Sequence, residues 1–362
     1  MMPMNFQEAA AFRLGRIYER RGYSRYKMSK FEEYDLYARN KDFLISDSII
    51  TFTDTNGRLM ALKPDVTLSI VRNSRDDSRS VQKLYYQESV YRVAKGTGSF
   101  REIPQVGLEA LGCIDDYTIT EVLELAAETL RSISPEAILE VSHVGVLLGI
   151  LEQLGIPNSR TGKILACISD KNRHELVRLC RQWEMAEEQI AALEELLRLR
   201  GTPDQVLPRL KEICPGGENL PEILEELSQS PVAQLLRFDF SAGACSSYYN
   251  GFVFRGFVPG VPESILSGGQ YDRLMEKMGR KSRAIGFAVY LDTLQYLEPD
   301  REGYDAEHLL LYTEADSLRD IRRAVVILEA KGGNVMVQRQ IPDNIRCRNL
   351  WKLNQGEVEP LG

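Results

Sequence analysis

The chain has 362 residues, a formal charge of -7, an isoelectric point near 5.4, 43% hydrophobic and 27% charged residues. That composition is ordinary for a globular protein of two or three domains and excludes a largely disordered chain. The acidic balance argues against a surface devoted to neutralising nucleic-acid phosphates. Six widely spaced cysteines with no CxxC pair, and three histidines, give no metal-site spacing, so free thiols buried in a reducing cytoplasm are expected. The start of the sequence lacks a signal-length apolar core, and no window approaches the ~20 apolar residues of a membrane span. A cytoplasmic protein is expected, with no membrane association.

The pattern opens with an amphipathic helix over 6–21, where Phe6, Ala9, Ala10, Leu14, Ile17 and Tyr18 form one stripe and Gly22 stands at the stop. Short alternating runs follow from Phe43 to Val71, with Asn56-Gly57 as a hairpin turn and Pro64 ending the second strand. "VQKLYYQESVYRVAKGTGSFREIPQVGLEALG" reads as a second antiparallel strand pair, and "IDDYTITEVLELAAETLRSI" as a helix with acidic residues in its first turn. Residues 143–235 change texture to Leu, Glu, Arg and Gln, punctuated by "IPNSRTG", "GTPDQ" and "CPGGENLP". They read as an inserted helical module carrying 10 Lys/Arg and 14 Asp/Glu, a net of -4. Strand texture resumes from Arg237 to Val258, crosses a turn expected at Gly268-Gly269, and ends in "AIGFAVYLDTLQYL", a strand feeding a short helix. The tail from Ala306 reads as strand, helix, strand, too small to be a substantial domain alone. The resulting division is a core built from 1–142 and 236–300, a helical insertion at 143–235, and a short C-terminal α/β segment at 301–362.

GxxxxGK[ST], GxSxG, HExxH and a dinucleotide GxGxxG are all absent. Polar residues at strand positions carry more information, because a buried carboxylate is costly without a partner. Asp65 and Thr67 follow a strand end, where they could cap a helix or face a ligand. Gln105, Gly107 and Glu109 share one strand face, which suits either solvent or a ligand lying on the sheet. Tyr249 and Tyr271 could bring hydroxyls to a flat pocket or serve as packing. Carboxylates for an ammonium or imidazole, an amide, and phenols at the sides together fit a free amino acid.

Six segments, "ITFTDTNGRLMALKPDVTLSIVR", "YYQESVYR", "REIPQVGLEALG", "SSYYNGFVF", "SGGQYDRL" and "AIGFAVYLDTL", occur in the order found in the catalytic core of histidyl-tRNA synthetase. The resemblance spans roughly residues 6 to 297. It implies a class II aminoacyl-tRNA synthetase-like α+β fold, an antiparallel sheet flanked by helices. It also implies a histidine pocket in which Asp65 and Thr67 meet the α-amino group, Gln105, Glu109, Tyr249 and Tyr271 line the remainder, and Arg92 holds the carboxylate. The departures from that family point elsewhere. Ala244 and Thr293 stand where the synthetase has arginines that promote adenylate formation and stack on ATP, Ala94 replaces a glutamate, and Tyr290 replaces a glycine that admits the nucleotide. Losing one cation placed at developing phosphate charge typically costs ~10²-fold or more. The tail holds 9 Lys/Arg and 10 Asp/Glu from 301 to 362, a net of -1, poor for gripping tRNA. A synthetase core that keeps its amino-acid pocket without that machinery resembles the regulatory subunits of ATP phosphoribosyltransferase. The resemblance implies a chain without catalytic residues or cofactor, partnered with a short-form catalytic subunit in the first step of histidine biosynthesis. It further implies histidine as effector and a homodimer through the segment from Phe52 to Arg72. A divergent amino-acid-activating synthetase and a stand-alone histidine sensor are the alternatives.

Overall fold

The computed structural model describes residues 6–44, 49–77, 79–94, 97–213, 219–241, 249–297, 304–342 and 345–361. The chain divides into two compact units, Met1–Leu297 and Glu298–Gly362. The first unit begins with α1 (Phe6–Arg20), β1 (Ser24–Arg25), β2 (Phe31–Glu33), α2 (Tyr34–Ala38), β3 (Thr51–Thr53), β4 (Leu59–Leu62) and α3 (Thr67–Asn73). The long hairpin β5 (Val81–Val93) and β6 (Phe100–Gly112) leads to α4 (Asp116–Ile133) and β7 (Ile138–His143). Residues 144–229 hold α5 (Val144–Gln153), α6 (Asn158–Ser169), α7 (Arg173–Gln182), α8 (Glu187–Arg198), the two-residue β8 (Arg200–Gly201), α9 (Pro203–Ile213) and α10 (Leu220–Gln229). The sheet is completed by β9 (Leu236–Asp239), β10 (Phe252–Phe257), β11 (Leu266–Gln270) and β12 (Arg283–Tyr290), with α11 (Asp272–Lys277) between the last two and a 3-10 helix at Leu291–Leu297.

The main sheet has the order β1-β5-β6-β12-β11-β10-β7-β9-β8. Its six central strands, β5 to β7 in that order, pair antiparallel throughout. The pairing turns parallel toward both edges, at β1 with β5 and at β7 with β9, which connection lengths alone did not suggest. Period-two alternation then divides the sheet into two faces. Val106, Leu108 and Ala110 of β6, Ile285, Phe287 and Val289 of β12, and Phe252 and Phe254 of β10 point into one core. That core is sealed by Ala10, Leu14 and Tyr18 of α1 and Val122, Leu125, Ala126 and Leu130 of α4. The start of α4 is fixed by Asp115, whose Oδ1 accepts from Thr118 N at 2.9 Å and Thr118 Oγ1 at 2.6 Å.

The opposite face carries Gln105, Gly107, Glu109, Gly286, Ala288, Ser267 and Gly269, with a second core around Tyr86, Leu68, Ile70, Tyr271, Leu274 and Met275. Here the structure corrects the sequence reading in two places. Gly268 and Gly269 lie inside β11 rather than in a turn, because their role is steric. A Cβ on Gly269 would sit 2.6 Å from Tyr249 Cδ1, and one on Gly268 would sit 2.5 Å from Phe287 Cβ. Tyr271 follows β11 directly as the N-cap residue of α11. The run to Val71 also ends differently: Pro64 does follow β4, but Thr67 onward is helical.

The second unit has β13 (Ala306–Leu311), α12 (Leu318–Glu329) and β14 (Val335–Gln338), a parallel βαβ unit, then β15 (Cys347–Asn354) and β16 (Glu357–Pro360). The last two strands were missed. Gln355-Gly356, both at positive φ, make the two-residue turn that joins them, and that glycine was the available signal. With them the tail forms a four-stranded sheet and its own small core of Leu310, Ala324, Leu328 and Leu353. Of the cysteines, Cys167 and Cys180 are buried free thiols as expected, whereas Cys113 is exposed. Among the described residues no helix is long and apolar enough to cross a membrane.

Candidate functional site

The bare stretch of the sheet is the floor of a cavity of about 390 Å³, a volume within the usual ~300–1,000 Å³ of small-molecule sites. All seven residues expected from the sequence, Asp65, Thr67, Arg92, Gln105, Glu109, Tyr249 and Tyr271, line it. They arrive from the turn before α3 and its first residue, from β5, from β6, from the segment before β10 and from the start of α11. Ala244 and Tyr248 lie outside the described residues.

Glu109 is the centre of the arrangement. Its side chain is 2% exposed and crosses the neighbouring strand, so that a Cβ at Gly286 would lie 1.8 Å from Oε2. Thr67 Oγ1 donates to Oε1 at 2.8 Å and the Tyr271 hydroxyl donates to Oε2 at 2.5 Å. Burial pushes the carboxyl from the ordinary 4.5 up to about 8; the two hydroxyl bonds pull the other way, and the charge of Asp65 adds to the rise. Asp65 is itself raised by burial, offset by backbone bonds and by the Arg92 charge. Its Oδ1 accepts from Leu68 N at 2.9 Å. The two readings offered for Asp65 therefore coexist: it caps α3 and lines the cavity.

Arg92 Nε donates to Pro64 O at 3.0 Å, holding the turn that presents Asp65. Tyr249 and Tyr290 each hydrogen-bond Ser267, and burial raises both phenols, so they remain neutral. Gly107 lets the Tyr86 hydroxyl descend onto the floor, where an added Cβ would meet it at 2.4 Å. The sequence reading missed Tyr86, Ser267 and Arg255 as lining residues. Arg255 could have been found: it is the one charge in "FVFRGF", on the parity opposite the buried Phe252 and Phe254. Thr293 is buried, its hydroxyl donating to Tyr290 O at 2.6 Å, and Tyr290 stands on the cavity wall. Chemically the cavity can receive a small molecule with hydrogen-bonding or cationic groups at the Asp65–Glu109 side and an anionic group at the arginines. Among the described residues, no group of His, Cys, Asp and Glu is placed to hold a metal ion.

The family model described as histidyl-tRNA synthetase matches residues 2–294. The chain belongs to that family. Within it, two kinds of relative are equally close. A histidine–tRNA ligase from Methanocaldococcus jannaschii is 28% identical over 90% of this chain and 80% of its own length. An ATP phosphoribosyltransferase regulatory subunit from Caldanaerobacter subterraneus is 28% identical over 96% of this chain and 92% of its own. Among solved structures, a chain of the ATP phosphoribosyl transferase complex from Thermotoga maritima shares the fold, with a TM-score of 0.60 and 19% identity over 80% of this chain and 98% of that one. The class II synthetase-like α+β architecture expected from the sequence is the one observed. Identity alone does not separate the ligase from the regulatory subunit, so the residues at the site must.

Proposed function

We propose that this chain is a non-catalytic regulatory subunit of an ATP phosphoribosyltransferase and that its cavity holds histidine as the effector. The observation that carries the reading is the wall of the cavity beyond Glu109. Tyr290 narrows it, and Thr293, which the resemblance aligns with an ATP-stacking arginine, is buried against the Tyr290 carbonyl with no charge to offer. The amino-acid end, by contrast, keeps its carboxylates and hydroxyls. Binding without activation follows, since adenylate formation needs cations at the developing phosphate charge. Histidine would act by linkage, binding the assembled enzyme with different affinity in its active and inhibited states.

The relatives named regulatory subunits and the likeness to a chain of a phosphoribosyl transferase complex support a short-form catalytic subunit as partner. A homodimer is part of the same proposal. The small sheet β2-β4-β3 exposes Phe31 and Phe52, paired edge to face at 5.3 Å, together with Leu59. Phe52 and Leu59 of that apolar strip lie in the segment the resemblance assigns to the two-fold interface, and Phe31 packs against Phe52 from β2. The test is a pair of assays on one preparation. Histidine-dependent exchange of pyrophosphate into ATP is expected to be at background, and a short-form catalytic subunit is expected to gain activity and histidine inhibition on addition of this chain. Exchange at an enzymatic rate would instead make it a divergent amino-acid-activating synthetase. Histidine binding without any effect on a catalytic subunit would make it a stand-alone sensor.

A further inference from the structure

The register of the main sheet gives the cavity a polarity that its volume does not reveal. Across neighbouring strands, Gly107 of β6 pairs with Ala288 of β12, Ala288 with Ser267 of β11, and Ser267 with Arg255 of β10. The adjacent row runs Glu109, Gly286, Gly269, Val253. The floor is thus a strip of glycine, alanine and serine two strands wide, with Glu109 rising at one end and Arg255 at the other. Three strand spacings separate their backbones by roughly 14 Å, and both side chains reach inward over that strip, as lining residues of one cavity.

Two arginines line this cavity, and they are not equivalent. Arg92 is committed: Nε is bonded to the Pro64 carbonyl, and its charge partly offsets the rise that burial imposes on Asp65. The Arg255 guanidinium makes no hydrogen bond or ion pair among the described residues. Glu140 of β7 pairs with it in the sheet and feels its charge after those of Asp239 and Lys171, yet no ion pair joins the two. Ser267 beside it already joins the Tyr249 and Tyr290 hydroxyls, so that, among the described residues, that end of the floor holds neutral hydroxyls around a guanidinium with no hydrogen-bond partner.

We propose that Arg255 is the specificity-determining residue of the cavity, taking the carboxylate of a bound amino acid while the ammonium or ring end lies toward Asp65 and Glu109. This rests on the reading of the cavity as a histidine site and assigns the carboxylate to Arg255 in place of Arg92. An uncommitted guanidinium forms a charge-assisted pair with a carboxylate without giving up an existing partner, whereas Arg92 would have to share.

The experiment is calorimetric titration of the full chain with L-histidine and with L-histidinol, which keeps the ring and amine and lacks the carboxylate. Wild type is expected to prefer L-histidine by about tenfold or more, the scale of one charge-assisted bond at a solvent-facing site. Arg255→Ala is expected to remove that preference, weakening L-histidine about tenfold and L-histidinol less than about twofold, with Arg255→Lys retaining part of it. Arg255 is exposed in the structure, so its truncation leaves the core untouched. An unchanged preference in Arg255→Ala, or its loss in Arg92→Ala instead, overturns the assignment while leaving the histidine site standing. Wild type that binds neither compound overturns both.

Discussion

Glu109→Gln isolates the cost of burying a carboxyl against a second acid. The folded carboxyl titrates near 8 and the unfolded one near 4.5, so between these values the folded state binds the extra proton. Stability contributed by the protonated form is complete below about pH 4.5 and is lost as pH rises toward 8. The limiting slope is about 1.4 kcal/mol per pH unit, so pH 5.5 to 7.5 carries up to about 3 kcal/mol, a sizeable part of a domain's 5–15 kcal/mol. Gln replaces the carboxyl with a neutral group of the same shape; its oxygen accepts from Thr67 or Tyr271 and its amide donates to the other hydroxyl. The measurement is urea unfolding of ligand-free wild type and E109Q at half-unit steps from pH 5.5 to 8.5. The stability difference between them is expected to tilt toward E109Q as pH rises and to level off above about pH 8. Parallel stability curves over that range would refute the reasoning, because they would mean that Glu109 is ionised in the folded state at neutral pH.

The remaining predictions concern the same fold. L-histidine binding is expected to release a proton near neutral pH and to tighten from pH 6.5 toward 8, since a cation meeting Glu109 displaces its proton; titration in two buffers of different ionisation enthalpy reads this directly. Gly286→Ala places a methyl group 1.8 Å from Glu109 Oε2 and is expected to cost about 1–3 kcal/mol and abolish ligand binding, measured by thermal melt and titration. Lys63→Met leaves the half-buried Glu88, which accepts from the fully buried Lys63 Nζ at 2.5 Å, without that partner, at about 1–3 kcal/mol; Lys63→Met combined with Glu88→Leu is expected to recover most of that loss. His143, lowered by burial from 6.5 to about 4, accepts from Val146 N through Nδ1. Its neutral form loses ground as pH falls from 6.5 toward 4, so His143→Gln is expected to flatten the acid limb of the stability profile.

How far the sequence carried these conclusions differs by element. The helices at 6–20 and 116–133 and the hairpin at 81–112 were legible because each buries one face and shows the matching period. Gln105 and Glu109 stood out for a related reason, since a carboxylate, an amide and a glycine on one strand face are poor packing and good binding, whereas Arg92 was indicated only by the family resemblance. Gly268-Gly269 misled because two adjacent glycines read as a turn, whereas here they serve two opposite faces of one strand. Gly268 yields to Phe287 and Phe254 in the core, and Gly269 yields to Tyr249 at the cavity. Arg255 carried a signal, as the lone charge on the open parity of its strand, but its place at the cavity depends on register. Only when β10 is laid beside β11 does the charge fall in line with Ser267, Ala288 and Gly107.

That alignment also bears on how one fold serves both a ligase and a regulator. The floor is built from residues whose small size is enforced from both sides: Gly107 by Tyr86, Gly286 by Glu109, Gly269 by Tyr249. Substituting any of them collides with a wall residue, so the floor and the acidic end resist change together. The wall at Tyr290 and Thr293 is held differently, by the Thr293 hydroxyl on the Tyr290 carbonyl and by the Tyr290 hydroxyl, which reaches the floor at Ser267. Nothing on the floor depends on the charge that a ligase would need at that wall. ATP chemistry can therefore be removed at the wall without disturbing the pocket, and a chain altered in that way would still recognise its amino acid. Tyr290→Gly combined with Thr293→Arg probes this separation: ATP affinity is expected to rise while L-histidine affinity changes less than about twofold, and a collapse of histidine binding in that variant would show that wall and floor are one unit.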